Sequence, residues 1–344
     1  MYTPLMLAKN LDIETIPDKS GWKNILRDCV SRPEETMRFL WADEAFLNKN
    51  YHGPCERLNR ALLGHRRELY KVMTGDDSIP SILEQDEALA RESVSMFLTA
   101  NIWGRDKEVF RFDAEMELAL ADCEEVRLPV RVLDRLPYNC FYIEFAENGI
   151  FRSNFHGCLV MVVPCLLGYV VTFQRVKETG EGMFGRVILV PDESDGTFLF
   201  TRNEISAEDG LDRNKDWTEF SFFALNALLY LCAENSAVHE NETTKKTYRP
   251  GGRVKHKFSE IRKWDCEFRI ASDKKYQNSG KDAGSNEEKV CKVKNVTKAV
   301  TPHTRRAHWH HYWTGKGRTT LSLRWIAPVR VGGKAEIATI HKKL

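Results

Sequence analysis

The chain is short of the features that usually announce a chemistry. No Cys-x-x-Cys pair, Gly-x-Ser-x-Gly elbow or His-Glu-x-x-His motif occurs in its 344 residues. No glycine-rich phosphate loop opens a helix, because Gly180-Glu181-Gly182 falls in an expected hairpin turn. The nine cysteines are odd in number and irregularly spaced, which spells neither a disulfide framework nor a thiolate zinc site. Cys140 or Cys158 beside His156 offers a nucleophile and a base only in the sense that any cysteine-rich chain does. No apolar run reaches the roughly 18–20 residues a bilayer needs. The two best, Cys158–Phe173 and Phe220–Ala233, are too short, and Pro164 interrupts the first. The start, Met1-Tyr2-Thr3-Pro4, lacks the basic-then-apolar order of a secretory signal. The expectation is a soluble cytoplasmic protein with no catalytic motif, no cofactor and no membrane partner.

What is present is a core and a charge split. Hydrophobic residues make up 42% of the chain and aromatics 10%, enough to exclude a wholly disordered protein. The net charge of +2 conceals two opposed regions. Residues 240–344 hold 25 Lys and Arg against 10 Asp and Glu, a balance of +15, while residues 1–239 carry −13. A basic C-terminal third on an acidic body implies either a polyanionic partner or docking of the basic segment on the body itself.

Periodicity predicts an α+β fold. The first 130 residues read as a helical layer. Trp22, Ile25, Leu26, Cys29 and Val30 mark one buried helix face. Pro33-Glu34-Glu35 opens a second helix whose inner face holds Met37, Leu40 and Trp41. Further helices are expected after Pro54, from Pro80 to about Asn101, and over Phe110–Glu125. Residues 131–271 then read as a central α+β domain. Short runs at Cys140–Phe145, Gly168–Phe173, Arg186–Val190 and Thr197–Phe200 predict an antiparallel sheet. Asp216 and Glu219 suggest a capping box that opens a helix, apolar almost all round and therefore buried, through Leu231. Residues 272–300 read as a flexible basic linker, and residues 301–344 as a His/Trp/Arg-rich β-hairpin segment.

That last segment is the densest candidate. Four of the ten histidines fall within 303–311, and three of the eight tryptophans within 309–325. Gly315 and Gly317 suggest the turn of a hairpin. Strand alternation sets His308, His310 and Tyr312 on one face and Trp309, His311 and Trp313 on the other. Three readings stay open. His303, His308 and His310 would supply imidazoles to a metal, although no Asp or Glu lies between Pro302 and Pro328 to orient them. Arg305, Arg306, Lys316, Arg318 and Arg324 would hold phosphates while Trp309, Tyr312 and Trp313 stack on bases. Alternatively, the tryptophans pack a core and the polar residues make structural hydrogen bonds.

The string Pro302-His303-x-Arg305-Arg306-x-His308-Trp309-His310-x-Tyr312-Trp313-x-Gly315, followed by Leu323-Arg324-Trp325 and Pro328, resembles the C-terminal signature of a phage and mobile-element anti-CRISPR family. The founding member of that family inhibits the type V-A CRISPR effector nuclease. Leu136-Pro137-x-x-Cys140-x-Tyr142-Ile143 and Leu228-Leu229-x-Leu231-Cys232 match in the same order, so the similarity covers about residues 130–344. The resemblance implies a protein that recognises the emerging N-terminal polypeptide of the nuclease during translation and triggers loss of its messenger RNA. Its partners would then be the nascent effector chain and the translating ribosome or RNA. With that function in view, the strands around Tyr138–Phe145 and Tyr169–Phe173 are expected to offer an edge to an extended peptide, with Tyr138, Cys140, Tyr142 and Tyr169 as contacts. The competing expectation is that these strands are interior. The RNA or ribosome surface would comprise Arg305, Arg306, His308, Trp309, His310, Tyr312, Trp313, Lys316, Arg318 and Arg324. The alternative is a nucleic-acid-binding or metal-dependent RNA-processing protein of a mobile element that uses the His/Trp/Arg cluster.

Overall fold

A computed structural model describes residues 2–12, 22–32, 36, 87–165, 168–180, 182–189, 191–192, 194–200, 215–241, 261–267 and 303–331. Apart from Thr36, which is helical and buried, the helix expected after Pro33 lies outside these residues, as do the helix expected after Pro54 and the linker at 272–300.

Two short helices, α1 (Thr3–Asn10) and α2 (Trp22–Ser31), precede a long α3 (Glu87–Asp106). Cys29 and Val30 of α2 are buried, as the helix-face pattern requires. The helix α3 runs past the expected Asn101 and stops at Lys107, whose φ of 54° turns the chain and whose N–H caps Trp103 O at 2.8 Å.

The chain then departs from the expected helix over Phe110–Glu125. Glu108–Phe112 is strand β1, and only Ala114–Ala121 is helical (α4). Asp113 explains the break, because its carboxylate accepts the Met116 N–H at 2.7 Å and starts a new helix there. After β2 (Val126–Pro129) and a 3-10 turn at Val130–Arg135 come β3 (Cys140–Glu144), β4 (Gly157–Cys165), β5 (Gly168–Val176), β6 (Gly182–Leu189) and β7 (Thr197–Phe200). Pro164 does not end its strand, and it sits opposite Tyr169 near the end of β4. The helix α5 (Lys215–Cys232) is followed by β8 (Val238–Glu240) and β9 (Arg262–Cys266). Asp216 lies in the first turn of α5 and pairs with Arg175 at 2.6 Å, which ties the start of the helix to the sheet.

The main sheet has seven strands in the order β6-β5-β4-β3-β1-β9-β8. The fold class is α+β, but the sheet is mixed and not wholly antiparallel. The strands β3 to β6 form an antiparallel meander, whereas β1 pairs in parallel with both β3 and β9. Both faces are covered, which is why β3, β4 and β5 read as nearly continuous apolar runs. One face, with Val109, Tyr142, Leu159 and Met161, packs under α1, α2 and α3. The other, with Phe110, Phe141, Val160, Val171 and Phe173, packs under α5. Every residue from Phe220 to Tyr230 is buried, as an all-round apolar helix between two layers must be.

The layer outside α5 is built by the C-terminal segment. The strands β10 (His303–Arg305), β11 (His308–Thr314), β12 (Thr320–Ile326) and β13 (Val329–Val331) form two separate ladders, β10 with β13 and β11 with β12. Ala307, Trp309, Leu321, Leu323 and Trp325 join the same apolar cluster as α5. No helix among the described residues is long and apolar enough to cross a membrane.

Candidate functional site

The hairpin β11–β12 has a base and a tip of different character. In the ladder, Trp309 faces Trp325, His310 faces Arg324, His311 faces Leu323 and Trp313 faces Leu321. The expected alternation therefore holds, but burial does not follow it to the end of the strand. Trp309 is 7% exposed and Trp313, on the same face, is 47% exposed. Packing against α5 covers only the base.

At the base the contacts are those of a core. Trp309 Nε1 donates to Asn226 Oδ1 at 2.7 Å, and Asn226 Nδ2 donates in turn to Phe222 O at 2.9 Å. The Trp325 ring meets Tyr230 edge-on at 5.5 Å, and its backbone N–H donates to Asn235 Oδ1 at 3.0 Å. Arg135 reaches across to donate to Leu321 O, and Ser322 donates to Glu234 at 2.7 Å. Glu124 N–H donates to Ala307 O at 3.0 Å.

The cations divide in the same way. Arg306 pairs with Asp122 at 3.4 Å, and Arg324 with Glu234 at 3.8 Å, both on the acidic body. Arg305, Lys316 and Arg318 are exposed and make no ion pair among the described residues. The charge split thus serves docking for two of the five cations and leaves three facing solvent.

The tip turns on residues with positive φ. Gly315 (82°) and Gly317 (79°) take backbone that a side chain disfavours, and Arg318 (53°) follows them there. Arg318 N–H closes the turn on Gly315 O at 3.1 Å. Tyr312, Trp313 and Arg318 line an open hollow at this end, and the His310 ring lies 5.5 Å from that of Tyr312.

The histidines of the metal reading lie on two different ladders. His303 belongs to β10 and pairs with β13, His308 Nδ1 lies 3.2 Å from Arg306 O, and His310 is exposed beside Tyr312. Among the described residues no group of three His, Cys, Asp or Glu side chains could hold a metal ion.

The sheet edge expected for peptide capture needs correcting. The strands β3 and β5 are interior, and among the described residues the sheet ends at β6 and β8. Cys140, Tyr142 and Tyr169 are buried. Cys140 Sγ lies 3.5 Å from Thr99 O, Tyr142 Oη is 2.8 Å from His156 Nδ1, and Tyr169 donates to Asp134. The reason is visible in these strands, which lack an outward polar face. Tyr138 alone keeps partial access to solvent, with the Arg262 guanidinium 5.6 Å over its ring. The thiols of Cys140 and Cys158 are pushed up by burial, the opposite of nucleophile activation, and burial also lowers the pKa of His156.

Two body residues emerge only from the structure. Asn226 was signalled, in retrospect, by a lone amide amid Phe, Ala and Leu. Glu117, fully buried on α4, accepts the Ala146 N–H at 2.6 Å. Burial pushes its carboxyl up to about 8, against the pull of the Ala146 and Ile150 N–H groups.

Comparison with known proteins adds three findings. The model of the AcrVA2-like family, described as "Anti-CRISPR type V subtype A2 family", matches residues 110–333. No curated protein matches the chain. A crystal structure of AcrVA2 aligns over 96% of this chain and 100% of its own, with 16% identity and a TM-score of 0.44, a likeness too loose to bear on the site.

Proposed function

This chain belongs to the anti-CRISPR type V subtype A2 family, and from that premise we propose that it recognises the nascent N-terminal polypeptide of a type V-A CRISPR effector during translation and lowers the amount of its message. The family match over residues 110–333, which spans both the sheet and the hairpin, is the observation that carries this reading. The acidic balance of residues 1–239 suits a nascent segment that contains Lys or Arg. Arg305, Lys316 and Arg318, exposed and unpaired among the described residues, suit contact with the ribosome or its RNA in the bacterial cytoplasm. Tyr138, beside Arg262, is the residue of the expected peptide set that a partner could reach.

The test separates peptide from nucleotide sequence. An effector gene is expressed from an unrelated promoter with its natural start, with the start codon removed, and with a frameshift just after the start that is corrected downstream. The message should fall in the presence of this protein only when the natural N-terminal segment is translated. Equal loss of the frameshifted message, or inhibition with message and protein undiminished, would overturn the reading.

A further inference from the structure

The tip of the β11–β12 hairpin carries three features that its structural role does not use. Trp313 and Tyr312, 47% and 37% exposed, are left in water although the base of the same hairpin buries both of its tryptophans. Arg318 occupies left-handed backbone, where glycine or asparagine would be the inexpensive choice. Arg318 lines one open hollow together with Tyr312 and Trp313, which alternate across the end of β11. Around them the chain from Pro302 to Pro328 contains no carboxylate, and Lys316 adds a second cation to the turn.

From this juxtaposition we propose that the tip is a binding site for single-stranded RNA, in which Trp313 and Tyr312 stack on unpaired bases while Arg318 and Lys316 hold the adjoining phosphates. An aromatic face rewards only a base whose own face is open, and a duplex offers none along its length. Exposed cations without carboxylate neighbours favour a polyanion, because binding need not first break an ion pair. The cations already committed to the body, Arg306 and Arg324, lie at the base and contribute little. The site rests on the reading that the C-terminal segment contacts RNA, and it narrows that reading to one end of one hairpin and one class of ligand.

Binding of the full-length protein to a labelled single-stranded oligouridylate, measured by fluorescence anisotropy over a salt series, tests the assignment. A duplex of equal length and an acidic peptide serve as competitors. The single strand should bind in preference to the duplex, and Trp313→Ala should weaken it by about 5- to 150-fold. Arg318→Asn, which keeps the left-handed turn, should flatten the log–log salt slope by about 0.7. Urea midpoints of both variants should match the parent. Wild-type affinity in both variants would overturn the site, as would equal binding of the duplex, displacement by the acidic peptide alone, or no binding of the oligouridylate. Loss of the effector message with the parent protein, measured alongside, distinguishes the two readings. If the message falls but the parent does not bind RNA, the tip assignment fails and the nascent-chain reading survives. If the tip binds RNA but the message is untouched, the reverse holds.

Discussion

The base and the tip of the C-terminal hairpin share a sequence motif, two strands and an antiparallel register, yet they belong to different parts of the molecule. At the base, Trp309 and Trp325 are extensions of the core, with their polar edges or backbone held by Asn226 and Asn235. At the tip, Trp313 and Tyr312 are surface, and the turn is built around Arg318. A dense cluster of His, Trp and Arg is therefore not one site. Where α5 ends its contact with the hairpin, the same residue types change from packing to presentation.

The largest expected effect falls on the base. Trp325→Ala removes a ring wedged against Tyr230 and should cost about 3–5 kcal/mol of folding stability, read by urea denaturation. A loss near zero would mean that the hairpin does not share the core. A pH lever next separates the body from the hairpin. Glu117 keeps its proton when folded up to about pH 8 but releases it near its ordinary 4.5 when unfolded. The unfolded state thus binds fewer protons between these values, so stability should fall as pH rises through that window. The slope should reach at most roughly 1.4 kcal/mol per pH unit, then flatten above it. Glu117→Gln should remove that fall, whereas association through the tip should not track it. Asn226→Ala should cost about 1–3 kcal/mol by leaving the Trp309 N–H buried and unpaired. Smallest of all, Asp122→Asn frees Arg306 from an exposed pair and should change stability by less than about 1 kcal/mol.

Much of this architecture is written locally. Short β-branched and aromatic runs between turn residues marked β5, β6 and β7, the glycines marked the hairpin turn, and the all-apolar stretch marked α5 as buried. What local pattern could not supply is pairing between distant segments. The strand β9, Arg262–Cys266, carries three charged residues of five, and it becomes a sheet member by pairing with the distant β1 in parallel and with β8 antiparallel. Phe110 and Phe112 belong to β1, and the helix begins only after Asp113 caps it, so one apolar stretch was shared by two elements. In the candidate site, the faces of β11 followed from alternation alone. The point along that face at which burial stops did not, because it depends on how far α5 reaches beneath the hairpin.

The division of the hairpin is tested most directly by comparing Trp309→Ala with Trp313→Ala in one urea titration, with RNA association measured on the same preparations. The base–tip account expects Trp309→Ala to lose about 3–5 kcal/mol of stability. It expects Trp313→Ala to unfold with the parent while losing about 1–3 kcal/mol of RNA binding. Equal destabilisation by the two substitutions, with association unchanged in Trp313→Ala, would contradict it and make the whole motif a structural hairpin.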